Sequence, residues 1–178
     1  LSLSVDDDSS RVKNNREKFY NYFGLQTSDV ATQLQVHGNR VQIVSTAGDK
    51  GESDGMITNK KNLGIVISSA DCPSIFIYDA KNRIISGTHS GWQRTKKKIL
   101  LETLTLMKSN FNSVASNLFA YISPSICQLS YEVGTEVATQ FPKKYLVNKR
   151  VSFFLDLTQI NYDFMTVFGI PKNNIQKS

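Results

Sequence analysis

The chain has 178 residues, the usual size of one compact domain with a single hydrophobic core. Its hydrophobic content of 40% excludes a disordered tail, and no apolar run approaches the roughly 20 residues that cross a bilayer. The net charge of +6 raises the question of nucleic-acid binding, but the basic residues are scattered and lack interleaved aromatic residues. We therefore expect a solvated basic face, suited at most to a small anionic substrate, and no nucleic-acid or membrane partner.

The first ten residues, LSLSVDDDSS, lack the basic region and the apolar run of a secretory signal. Two cysteines in a chain of this length do not form a disulfide scaffold, so Cys72 and Cys127 are both expected to be thiols. Both observations favour a cytoplasmic protein.

Helical and strand signals alternate along the chain. Spaced aromatic or aliphatic residues with capping residues at the ends predict helices over residues 8–23, 94–111, 132–140 and 156–168. Alternating or β-branched runs predict the strands TQLQVH, RVQIVSTA, NLGIVISS, SIFIYD, RIISGTH and NLFAYIS. The pattern indicates mixed α and β structure in a single domain that covers residues 1–178.

Three of the four histidines and cysteines occupy equivalent places in this pattern. His37 is predicted to close the strand TQLQVH, Cys72 lies in the turn before SIFIYD, and His89 closes the strand RIISGTH. Side chains at strand ends and in turns can converge from different elements. Two imidazoles and a thiolate form a set of ligands for zinc with an open fourth position, as in catalytic sites. The sequence therefore predicts a transition-metal site, with zinc as the metal, at which an enzyme works.

Other interpretations of the same residues remain open. A lone histidine at a strand end is often a hydrogen-bonded surface residue, and a lone cysteine is often packed in a core, as we expect for Cys127. Cys72 can also serve as a nucleophile with His89 as its base and Asp71 orienting the imidazole, in a hydrolase or deamidase that does not need His37. A third possibility is a metal-stabilised binding protein without catalytic activity.

Several short motifs occur in a recognisable order: QVHG, SSADCPSIFIYD, THSGW, SPSI and YEVG. This series resembles the laccase-domain family, also called the YfiH-like or multicopper polyphenol oxidase family, whose motifs run QVHG, TADC, HAGW, GPAIG and YEVG. The resemblance covers residues 1–175. It implies that the family's metal ligands correspond to His37, Cys72 and His89.

The same resemblance implies a fold and an activity. The fold is α+β, a mixed-sheet sandwich flanked by helices in α/β/β/α layers. The activity is zinc-dependent phosphorolysis of adenosine, inosine, guanosine or methylthioadenosine, with deamination of adenosine beside it, so the partners are a purine nucleoside and phosphate, and the oligomeric state is left open. Older family naming implies copper-dependent oxidation of phenols instead, but a multinuclear copper site needs clustered histidines and this chain has two.

Candidate substrate contacts flank the three residues. The turn at residues 88–92 offers backbone N–H groups at the start of a predicted helix, so we expect Ser90, Gly91 and Arg94 to bind phosphate. Gln35 is two residues before His37 and is expected on the same face of the strand, where it contacts the base, orients His37, or is simply a surface glutamine.

The chain departs from the family pattern in two motifs and at its ends. HAGWRG is HSGWQR here, with Gln93 where arginine is usual and Arg94 where glycine is usual, and GPAIG is SPSIC, with Ser123 and Cys127 replacing glycines. The STRxGG-like and SYRRDG-like motifs that flank the family domain are not found in this sequence. The resemblance thus predicts a domain that lacks both family termini, and it leaves a catalytically weakened form open.

Overall fold

The computed structural model describes residues 8–178, so the expectation for the amino-terminal segment falls largely on residues outside the described part. No helix within residues 8–178 is long and apolar enough to cross a membrane. The α-helices are α1 (Ser9–Tyr22), α2 (Trp92–Lys96), α3 (Ile99–Phe111), α4 (Thr135–Ala138) and α5 (Leu157–Phe168). Short 3-10 turns lie at Thr27–Asp29, Ala115–Asn117, Gln128–Ser130, Lys143–Tyr145 and Lys172–Asn174.

The strands of the described residues form three sheets. They are β1 (Val30–Leu34), β2 (Val41–Ile43), β3 (Gly48–Glu52), β4 (Gly55–Thr58), β5 (Gly64–Ile65), β6 (Ser74–Asp79), β7 (Ile84–His89), β8 (Leu118–Ile122), β9 (Glu132–Val133), β10 (Leu146–Lys149), β11 (Ser152–Leu155) and β12 (Ile175–Lys177). The largest sheet has the order β12-β8-β6-β7-β4-β2 and mixes parallel and antiparallel pairs. Two three-stranded sheets have the orders β3-β1-β5 and β10-β11-β9.

The main core lies between one face of the large sheet and helices α3 and α5. Alternate residues of β6 and β8 point into it, because successive side chains of a strand face opposite sides. Its buried members are Ile57, Ile75, Ile77, Ile84, Leu100, Leu104, Met107, Leu118, Ala120, Ile122, Met165 and Ile170. The expected mixed α+β fold, with sheets flanked by helices, is confirmed by this arrangement.

Two predicted helices agree closely with the structure. The Asp8 carboxylate accepts hydrogen bonds from the backbone N–H groups of Ser10 and Arg11 at the start of α1. Asp156 caps α5 by accepting from the Gln159 N–H group at 2.8 Å. Gly169 ends α5 in the left-handed conformation with φ of +108°. These caps are the local signals from which the sequence predicts both helices.

Two other predicted helices were wrong in extent. The segment 94–111 is divided into α2 and α3, because Lys98 adopts the left-handed conformation with φ of +59° and interrupts the helix. The segment 132–140 begins as strand β9, which pairs with β11, and only Thr135–Ala138 is helical. The β10-β11 hairpin was not predicted at all.

Candidate active site

The three predicted ligands lie at one end of the large sheet because of its register. β6 begins opposite the end of β7, with Ser74 paired to His89, so Cys72 lies just beyond that strand end. β4 runs antiparallel to β7, and the Asp54 residue that precedes it accepts a hydrogen bond from the His89 N–H group through its backbone carbonyl at 2.9 Å. β2 runs parallel to β4, so the turn that contains His37 enters the sheet at the same end.

His37 does not close a strand as predicted, because β1 already ends at Leu34. His37 instead occupies a turn with φ of +60°, a conformation that is uncommon for residues other than glycine. The Asp54 carboxylate accepts hydrogen bonds from the backbone N–H groups of His37, at 3.2 Å, and Gly38, at 2.6 Å. This buried carboxylate therefore stabilises the strained turn.

Cys72 lies in the predicted turn before β6 and is half-buried. The residue before it, Asp71, has φ of +71°, and the Asp71 carbonyl accepts a hydrogen bond from the Ile126 N–H group at 2.8 Å. The Ser123 hydroxyl accepts one from the Ser74 N–H group at 3.0 Å. The SPSIC loop thus stabilises the turn that contains Cys72 through these two hydrogen bonds.

His89 closes β7, as the sequence predicted, and it is 6% exposed. Its Nδ1 atom is buried and has no hydrogen-bond partner among the described residues. Burial, and after it the positive charge of Arg94, lower the pKa of His89 to about 4, although the Asp54 carboxylate acts in the opposite direction. The imidazole is therefore neutral at physiological pH and carries a buried polar atom that is not satisfied by the protein.

Burial also governs the thiol of Cys72. Desolvation raises the pKa of Cys72, the nearby Arg94 charge opposes this rise, and the Asp71 carboxylate adds to it. Without a metal the side chain is a thiol at neutral pH. The thiol is not activated as a nucleophile by its surroundings.

Two clefts meet at these residues. The larger, about 430 Å³, includes His37 and His89 in its lining. The smaller, about 270 Å³, includes His37 and Cys72. The imidazole centroids of the two histidines are 6.3 Å apart. A Cβ atom on Gly91 would lie 2.9 Å from the Cys72 sulfur, so the glycine permits the close approach of this backbone to the thiol.

Arg94 lies between the two clefts, although only 1% of it is exposed. Its Nε group donates to the Asp54 carboxylate at 2.6 Å, and the two side chains form a buried ion pair. Its Nη1 group is 2.7 Å from Nδ1 of His37. Within residues 8–178 no three His, Cys, Asp or Glu side chains are arranged to hold a metal ion. The predicted metal site stays a prediction.

The other expected substrate contacts have internal partners. The Ser90 hydroxyl is fully buried and donates to the Asn161 side chain at 2.8 Å. Gln35 lies beyond β1 and binds Ser68 twice, donating to its carbonyl and accepting from its N–H group, both at 2.8 Å. Gln35 still borders the larger cleft, and Gly91 borders the smaller one. α2 has only five residues, so the helix dipole that was expected to favour phosphate binding is weak.

The sequence did not predict roles for Asp54 and Asn161, and the expected packing of Cys127 in a core is wrong. Asp54 resembles any turn residue in the segment GESDG, and only the sheet register shows that it faces His37 and His89. Asn161 is a buried polar residue in α5, with no signal in the sequence. Cys127 is exposed rather than packed, and hydrogen bonds from Ser130 lower the pKa of its thiol.

Comparison with known proteins identifies relatives over the whole sequence. Residues 1–178 match a family model described as multi-copper polyphenol oxidoreductase laccase. A Rickettsia prowazekii protein named purine nucleoside phosphorylase is 35% identical over 88% of this chain and 62% of that protein. A protein of an unknown prokaryotic organism named adenosine deaminase is 27% identical over 98% of this chain and 73% of that protein.

A solved structure has the same fold as this chain. The crystal structure of a Bacillus licheniformis protein described as hypothetical protein YfiH aligns with a TM-score of 0.92 at 25% identity, over 99% of this chain and 73% of that chain. The chain thus spans between 62% and 73% of the length of these three proteins.

Proposed function

This chain belongs to the laccase-domain family, and from that membership we propose that it acts on purine nucleosides. The main reaction is phosphorolysis, in which a phosphate oxygen bonds to C1′ of the ribose as the bond to the purine base breaks and the base leaves with a proton. Adenosine, inosine, guanosine and methylthioadenosine are the candidate substrates, and deamination of adenosine is a companion reaction. The names of two relatives support this substrate class.

One observation carries the proposal: His37, Cys72 and His89 border two adjoining clefts at one end of the large sheet. The larger cleft has the volume of a small-molecule site. Arg16, Arg94 and Asp49 border it, and the charge of Arg94 is already paired with the buried Asp54 carboxylate.

The metal of the proposed site is zinc, held by His37, Cys72 and His89. The donor set fits zinc chemically, and the buried, unpartnered Nδ1 atom of His89 is the kind of atom that a ligand satisfies. Two imidazoles on a tetrahedral zinc ion have centroids about 5.3 Å apart, given Zn–N distances of about 2.1 Å. The observed 6.3 Å therefore requires a shift of roughly 1 Å.

When bound, zinc supplies a Lewis acid that activates water for deamination. Gln35 borders the larger cleft, and its side-chain amide is held by two hydrogen bonds to Ser68. The position of this side chain is therefore fixed for contact with a purine ring. The neutral state of His89 keeps a lone pair available for a metal at physiological pH.

The hydrolase alternative and the copper alternative receive less support. A Cys72 nucleophile needs a lowered thiol pKa and a base with a pKa near the working pH, whereas the pKa of Cys72 is raised and that of His89 is about 4. The two histidines of the sequence do not suffice for a multinuclear copper oxidase.

The proposal is tested by nucleobase release. Zinc-loaded protein is incubated with inosine or adenosine, with and without phosphate, and the released hypoxanthine or adenine is measured together with inosine formed from adenosine. We expect base release that requires phosphate and that is lost in His89→Ala and Cys72→Ser. Cys127→Ser is the matched control and is expected to keep the activity, because Cys127 is exposed and outside both clefts.

Absence of both base release and deamination from the zinc-loaded protein would overturn the nucleoside assignment. Activity that survives in the Cys72 and His89 variants would overturn the assignment of the site.

A further inference from the structure

The contact between Arg94 and His37 restricts what His37 can bind. A guanidinium group donates hydrogen bonds and does not accept them. The 2.7 Å contact between Arg94 Nη1 and His37 Nδ1 therefore uses the lone pair on Nδ1. In a neutral imidazole the single proton is then on Nε2. In this arrangement neither ring nitrogen of His37 has a free lone pair for a metal ion.

Arg94 is fixed in this position by buried contacts. Its Nε group donates to Asp54 Oδ1 at 2.6 Å, and Arg94 and Asp54 are 1% and 0% exposed as an ion pair. The same carboxylate accepts from the backbone N–H groups of His37 and Gly38. The arginine and the histidine turn are thus held by one shared carboxylate.

The guanidinium charge also lies close to the other predicted ligands. The Nη1 atom of Arg94 lies 3.6 Å from the position of a Cβ on Gly91, and that position is 2.9 Å from the sulfur of Cys72. Arg94 and His89 both line the larger cleft. A buried cation of the protein therefore lies beside all three residues that would surround a metal ion.

We propose that Arg94 and a metal ion are mutually exclusive partners of His37, so that zinc binds only when the guanidinium group releases the imidazole. Arg94 acts as a built-in competitor that lowers the affinity of the site for metal and holds the metal-free site in one arrangement. This inference rests on the metal site proposed above. It also accounts for the lack of a three-residue metal-binding arrangement within residues 8–178.

The test compares zinc affinities, measured by competition with a chromophoric chelator. Arg94→Leu removes the donor and keeps much of the side-chain volume. Asp54→Asn combined with Arg94→Leu removes both buried charges, and it guards against unfolding caused by an unpaired Asp54. Lys96→Leu is the matched control, because it removes one positive charge from an exposed position of the same helix. We expect the zinc affinity to rise by roughly tenfold or more without Arg94 and to stay unchanged in the control.

A second readout does not depend on metal or on activity. Nitrogen chemical shifts of the His37 ring in the metal-free protein report which nitrogen carries the proton. We expect protonation on Nε2 with Arg94 present, and loss of this fixed tautomer in Arg94→Leu. A ring protonated on Nδ1 in the unmodified protein would overturn the inference.

The outcomes separate the competition from the metal site itself. If zinc binding is lost in His89→Ala but unchanged without Arg94, the competition is refuted and the metal site stands. If zinc binding is indifferent to His89→Ala in both the unmodified and the Arg94→Leu protein, the metal site and the competition both fail.

Discussion

Asp54 is hydrogen-bonded to the backbone of two predicted ligands, His37 and His89. Its carbonyl accepts from the His89 N–H group, and its carboxylate accepts from the His37 N–H group and from Arg94. Loss of this residue would leave the buried groups that donate to it without a partner. The geometry of the site therefore depends on a residue that needs no contact with substrate.

His89 makes the stability of the metal-free protein depend on pH. Its pKa is about 4 in the folded chain and about 6.5 when unfolded, so between these values the unfolded state binds more protons and stability falls as the pH falls. We expect this residue to cost about 2 kcal/mol of unfolding free energy between pH 7.5 and pH 5. Urea unfolding with a metal chelator present measures it.

The control for this prediction is His89→Gln, which cannot titrate. The variant is expected to lose less stability than the unmodified chain over the same pH interval. An identical pH dependence in the two proteins would contradict the assigned environment of His89.

At the scale of elements, α5 fixes the turn that follows His89. Asn161 of α5 accepts a hydrogen bond from the Ser90 hydroxyl and donates to the Leu157 carbonyl, both at 2.8 Å. Ser90 is also bonded to Thr95 of α2. A buried network of this kind holds the end of β7 and the start of α2 in one position relative to α5.

Loss of this network is expected to destabilise the protein. Asn161→Ala removes the acceptor on α5 that the buried Ser90 hydroxyl uses and leaves it with Thr95 alone, so we expect the free energy of unfolding to fall by about 1 to 3 kcal/mol. Asn14→Ala is the matched control, because Asn14 is exposed on α1 and a change there is expected to stay within about 0.5 kcal/mol. Chemical denaturation of the two variants measures the difference, and equal losses would refute the structural role of Asn161.

Local signals predicted some elements, and tertiary contacts decided others. The caps at Asp8 and Asp156 and the alternation in SIFIYD are local, and α1, α5 and β6 follow them. The break at Lys98 has no glycine or proline to announce it. Likewise, the left-handed turn at His37 depends on Asp54, 17 residues away, so its sequence was mistaken for the end of a strand.

At the scale of the molecule, sheet order brings the predicted ligands together. The large sheet contains the order β6-β7-β4-β2. The starts of β2, β4 and β6 lie beside the end of β7, so the loops that contain the three predicted ligands are neighbours. Spacing along the sequence does not contain this order. The motifs of the family resemblance suggested the three residues, whereas the buried arginine that engages His37 became visible only in the structure.

The most direct test of the account is anomalous diffraction at the zinc edge from crystals of the zinc-loaded protein. We predict a single strong peak within about 2.0 to 2.3 Å of ligand atoms of His37, Cys72 and His89, with the Arg94 guanidinium displaced from the His37 ring. A zinc peak away from these residues, or a zinc ion bound to them while Arg94 still contacts His37 Nδ1, would contradict the account.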